Sequence, residues 1–209
     1  MRPRRGLDQR LKKGTATLDL WRRLVGELGG EVEITGRGKP TRAVIPFRNW
    51  IVVLDIFTES HGSGSSTYTR VRSLFQRQIP FRLRVTNRNL FHRIAPLVGF
   101  GGIPIGYARL DQAVFVRSDH PSHARAMLRG TSLGAALIAD PRVKLLVIDP
   151  GKRIRRETGD SVGEVQLLRA GQQKDLARLR SIVELSMMTL DQLERLKLAT
   201  GNPVEGVAI

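Results

Sequence analysis

Apolar residues at Leu18, Trp21, Leu24, Val25 and Leu28 recur at helical spacing, and Gly29 and Gly30 follow as a stop signal. Thr17 or Asp19 is placed to cap this first helix. The pattern then changes period. Residues 31–35 alternate acid and apolar positions, 42–47 follow a Gly/Pro turn, and 49–60 are apolar on both faces, as expected of a central strand. The interior acid of that strand, Asp55, needs a cationic neighbour, because an unpaired buried charge is costly. HGSGSS, residues 61–66, reads as a flexible connection.

Two further strands are expected at 68–75 and 81–86, with Pro80 on the turn side, then a short helix near 90–98 and an irregular glycine-rich loop at 99–107. A strand over 110–117 precedes SDHPSHARAML, in which Asp119 or His120 can cap a helix that carries Pro121 in its first turn. That helical stretch runs to Ala139 with a break near Gly130. Strands at 144–149 and 164–171 form a hairpin with a long charged tip. The apolar stripe Leu176, Leu179, Ile182, Val183, Leu190, Leu193 and Leu196 marks a long helix over 172–199 able to pack on a sheet. Helices at the start, middle and end around strands in succession predict an α+β fold. Its mostly antiparallel sheet has about seven strands, with an N-terminal helix, two or three short central helices and a long C-terminal helix. One domain is expected over 16–203, preceded by a flexible basic arm, 1–15, and followed by a tail, 204–209.

Charge alters the picture. Basic residues number 35 against 19 acidic, a formal +16, which makes polyanions the first class of partner to consider. Twenty-eight of the 35 are arginine, a skew that base composition alone can produce, so no single arginine is informative by itself. Their placement is. No carboxylate occurs between Ser60 and Leu110, and within that span Tyr68, Arg70, Arg72 and Leu74 share one side of a strand while Arg82, Arg84 and Thr86 share one side of the next. Paired as a hairpin with both basic sides together, four guanidinium groups would be neighbours, and like charges directly opposite destabilise a sheet unless an anion joins them. The bland alternative is neutralisation by Glu31, Glu33, Asp55 or Glu59 on adjacent strands.

Several chemistries lack a signal. With no cysteine there is no disulfide, thiolate metal site or cysteine nucleophile. Gly99, Gly101 and Gly102 are followed by Pro104 where a dinucleotide loop needs its last glycine, and no Lys-Ser or Lys-Thr completes a phosphate loop. His120 and His123 stand three apart at a helix start, which alone assembles no metal site. No GxSxG motif is present, and no catalytic, metal or cofactor residue is assigned. No apolar run approaches the roughly 18 to 20 residues of a spanning helix, so a cytoplasmic protein is expected.

The motifs YTRVR (68–72), IPIGYARLD (103–111) and FVRSDHPSHARAML (115–128) resemble a group of uncharacterised bacterial proteins, a domain of unknown function without an established activity. Tyr68, Thr69, Arg70, Ala124 and Arg125 carry the likeness best. Gly102 stands where that group has an acid, and the aspartate that opens its later helix falls at His120 or, shifted by one, at Asp119. The expectation is a binding module in which Arg70, Arg72, Arg82, Arg84 and Arg88 contact a polyanion such as nucleic acid, or an acidic protein surface. The alternatives are a structural or regulatory subunit and, behind it, an enzyme. No cofactor is expected.

Overall fold

The computed structural model describes residues 5–34, 40–62, 64–88 and 102–204. Within them the period-two segments become β1 (Glu31–Ile34), β2 (Pro40–Phe47), β3 (Trp50–His61), β4 (Gly64–Gln76), β5 (Leu83–Asn87), β6 (Val114–Ser118), β7 (Lys144–Ile148) and β8 (Val162–Ala170). They form one sheet of eight strands in the order β1-β2-β3-β4-β8-β7-β5-β6, and every neighbouring pair is antiparallel. The described helices are α1 (Arg5–Leu28), α2 (Ala108–Ala113), α3 (Pro121–Leu128), α4 (Ser132–Ala139), α5 (Lys152–Thr158) and α6 (Leu176–Arg195). The fold is α+β, with one strand more than expected.

The core lies on one face of the sheet. Ala43, Ile45, Val52, Leu54, Val71, Phe75, Val165, Leu167, Leu145, Val147, Leu83 and Val85 project to it from six strands and meet Trp21 and Leu24 of α1 and Leu179, Ile182, Val183, Leu190 and Leu193 of α6. Small residues set the approach of α6. Ser73 on β4 and Ser186 on α6 are both buried, and their hydroxyls lie 3.4 Å apart. At the other end of the sheet α2, α3 and α4 cover β5 and β6, and Gly134 of α4 presses its backbone on Leu128 so closely that a Cβ there would stand 2.0 Å from the Leu128 carbonyl oxygen.

Several local expectations are corrected. The first helix begins at Arg5, so most of the stretch expected to be an arm is helical, and Thr17 lies inside the helix, where its hydroxyl accepts a hydrogen bond from Gln172 Nε2. HGSGSS is no loose connection: β3 continues to His61 and β4 starts at Gly64, making a long hairpin. Residues 110–117 divide into α2 and β6. The Asp111 carboxylate takes the backbone N–H groups of Ile105, Gly106 and Tyr107, which bends the preceding loop over the start of α2 and lets Leu110 be buried. Neither Asp119 nor His120 supplies a side-chain cap to α3; Asp119 accepts from the Arg82 backbone N–H instead. The break near Gly130, with φ 68°, is present, and Thr131 caps α4. β7 and β8 pair as expected, but their connection folds into α5. The last helix is shorter than the expected 172–199, starting after an Asp175 cap and ending at Arg195. The expected helix at 90–98 and the glycines at 99 and 101 lie outside the described residues.

Candidate functional site: a basic groove on the open face

β4 and β5 are not a hairpin. β8 and β7 lie between them, because the chain leaves β4, crosses to the far end of the sheet for β5 and β6, and returns through β7 and β8 to fill the gap. The two basic sides nevertheless point the same way. Arg72 stands opposite Gln166 of β8, Gln166 opposite Leu146 of β7, Leu146 opposite Arg84 of β5, and Arg84 opposite Arg117 of β6, one row on the face away from the core. A second row joins Arg42, Asp55, Arg70, Leu168 and Lys144. Among the described residues this face carries only α5, through Ile154 against Leu74 and Val162, and the segment leading to Val204. All the other described helices contribute their buried residues to the opposite side.

Two adjoining concavities result, sharing Ile148 as a common wall. One, of about 420 Å³, lies between α5 and the β4–β8 pair and is lined by Arg70, Arg72, Asp149, Lys152, Arg153 and Glu164 among others. The second, of about 510 Å³, lies over β5, β6 and β7 and is lined by Arg82, Arg84, Arg117, Ser118 and Asp119 with Ile103 as an apolar side. Among the described residues, seven cationic side chains thus face the groove against three carboxylates.

Internal pairing sorts the arginines. Arg70 is clamped by Asp55 through two bonds of 2.8 and 2.6 Å, the expected partner of the interior acid, and its guanidinium lies 4.4 Å from the Phe57 ring centre. Arg72 reaches the same carboxylate at 3.4 Å and Glu164 at 4.0 Å, and its Nε is buried without a hydrogen-bond partner. Burial and then the neighbouring Arg70 charge press the Arg72 pKa down, so this cation is under-compensated. Burial raises the Glu164 carboxyl above its ordinary range in spite of Arg72, Arg70 and the backbone N–H of Gly151. Arg77 and Arg82 both bind Asp149; burial would lift that acid, but the two guanidinium groups outweigh it and hold its pKa low. Glu33 pairs with Arg42 at 2.7 Å rather than with the arginines of β4.

The expected anion contacts therefore divide. Arg70 and Arg82 are tied to Asp55 and Asp149. Arg88 donates to the Asp111 carbonyl and is not among the groove-lining residues. Arg72 is held less well, and Arg84, exposed on β5, makes no ion pair among the described residues. Lys144, half-buried two strands from Arg70, has its pKa lowered by burial and by the Arg84 charge. Sequence patterning did not single out Lys144, Arg117, Lys152 or Arg153. The register places Arg117 opposite Arg84 and Lys144 on the same face, two residues along β7 from Arg84's partner Leu146, and α5 brings the others over β8; alternation within one strand carries no information on either.

The rings of His120 and His123 are 5.6 Å apart, His123 meets Phe81 edge-on, and no group of three or more potential metal ligands occurs among the described residues. No described helix is long and apolar enough to cross a membrane. The chain matches no protein-family model, no curated protein and no solved structure.

Proposed function

We propose that the protein is a binding module whose groove on the open sheet face takes a polyanion or the acidic surface of a protein partner. The observation that carries this reading is the row in which Arg84 stands directly opposite Arg117, one strand from β7 and its Lys144, on the face away from the core. Like charges directly opposite one another cost a sheet stability, and among the described residues Asp119 is the one carboxylate lining that half of the groove. An incoming phosphate or carboxylate relieves the repulsion and gains charge-assisted hydrogen bonds from a planar fork of donors. The β4 half contributes through Arg72, while Arg70 and Arg82 hold Asp55 and Asp149 and so shape the groove.

Immobilised heparin tests the reading. The double variant R84Q/K144Q should elute at clearly lower salt than the wild-type protein, with its melting temperature kept. Co-elution of the two would overturn it. The variant R70Q should instead lose stability, because Asp55 is left half-buried without its bidentate partner.

A further inference from the structure

Charge alone does not distinguish one polyanion from another, but the groove is not lined by charge alone. Phe57 of β3 and Tyr68 of β4 are directly opposite in the register, project to the open face beside Asp55 and Arg70, and stack with ring centres 6.4 Å apart at 29°. Both rings are half-buried. The Arg70 guanidinium, fixed in its plane by the two bonds it donates to Asp55, lies over Phe57. Tyr68, Phe57 and Arg70 thus form a π-rich cluster on the open face, joined through Arg70 to the β4 half of the cationic groove.

From this juxtaposition we infer that the ligand is a single-stranded nucleic acid, its phosphates running across the strands past Arg72, Lys144 and Arg84 and one of its bases stacked on Tyr68. This rests on the polyanion reading above and narrows it. The groove runs from β4 to β6, four strand spacings or about 19 Å, which spans about five or six phosphates at the roughly 3.4 Å rise of a stacked strand. Single-strand recognition on sheet surfaces combines a basic track with aromatic or guanidinium planes that accept any base face. A duplex keeps its base faces stacked inside and offers Tyr68 nothing, whereas a single strand presents a free aromatic base beside every phosphate.

Fluorescence anisotropy separates these cases with three labelled probes of about twelve nucleotides, inside the roughly 4 to 16 that one such site covers. They are oligo-dT, an abasic strand of the same phosphate charge, and a duplex. Oligo-dT should bind at least about fivefold tighter than the abasic strand, the low end of one stacking contact. Tyr68→Leu, which keeps apolar bulk against Phe57, should bring oligo-dT down to the abasic level and leave abasic binding unchanged. R84Q/K144Q should weaken both strands alike. Equal binding of the abasic strand, a duplex bound as tightly as oligo-dT, or no effect of Tyr68→Leu would each overturn the inference while the wider polyanion reading stands on the heparin result. Failure of all three probes and of heparin together would overturn both.

Discussion

Glu164 shows what a single residue must tolerate to stand beneath a basic groove. It is 5 % exposed, and burial raises its carboxyl pKa against the pull of Arg72 and Arg70. A carboxyl that holds its proton more tightly in the folded than in the unfolded chain contributes most to stability below the ordinary carboxyl range, and that contribution disappears as pH rises through the raised value. E164Q should therefore gain stability relative to wild type between about pH 4 and pH 7, the region above the usual glutamate pKa. Urea unfolding at the two pH values checks this, and a relative loss at pH 7 would mean that the Arg72 contact outweighs burial. Asp149 behaves in the opposite sense. Its pKa is held low by Arg77 and Arg82, so its contribution is present above the ordinary aspartate range and is lost as pH falls through the lowered value. D149N should destabilise by about 2 kcal/mol at neutral pH, nearly all of it from the buried Arg77, whose side chain is 7 % exposed, and the deficit should shrink in acid.

At the scale of elements, two glycines in helices make opposite predictions. Gly26 lies in the interior of α1 with nothing within 4 Å of an added Cβ, so G26A should stabilise by roughly 0.5–1 kcal/mol through helix propensity. Gly134 in α4 is buried against the Leu128 carbonyl, and G134A should cost about 1–3 kcal/mol because the backbone of one of the two helices has to move. Thermal melts of the pair decide whether the α3–α4 contact is as tight as its geometry. The cap of α6 is a third case: Asp175 accepts the Arg178 backbone N–H at 2.9 Å, and D175A should lose about 1 kcal/mol. These effects act on helices of the core layer and should leave heparin elution unchanged.

For the whole molecule, a one-sided sheet explains how a chain of formal charge +16 arranges its cations. With α1, α3, α4 and α6 packed on one face, the other is left, among the described residues, to α5 and the segment near Val204, and side chains of the second period-two set from β4, β5, β6 and β7 collect there. In the proposed function, binding through that groove is mainly electrostatic. Affinity for oligo-dT should fall linearly with salt on a double logarithmic plot, and R84Q/K144Q should flatten the slope by about 1.4 for two lost phosphate contacts on a single strand. An unchanged slope would place the phosphates elsewhere on the surface.

The amino-acid order alone determined the α+β class, the antiparallel character, the long C-terminal helix and the two-sided nature of the arginine strands, because each depends on periodicity over a few residues. It also marked Asp55 as needing a cation, which Arg70 supplies. What a strand pairs with is a different matter. That β8 and β7 separate β4 from β5, that Lys144 and Arg117 share the open face with Arg84, and that Tyr68 meets Phe57 across the β3–β4 pair were all decided by tertiary structure. The physical reason is that strand order and register are chosen by burial of the whole opposite face against α1 and α6. No local pattern records that choice, so the same arginines read along the chain as a hairpin and in space as the lining of a groove.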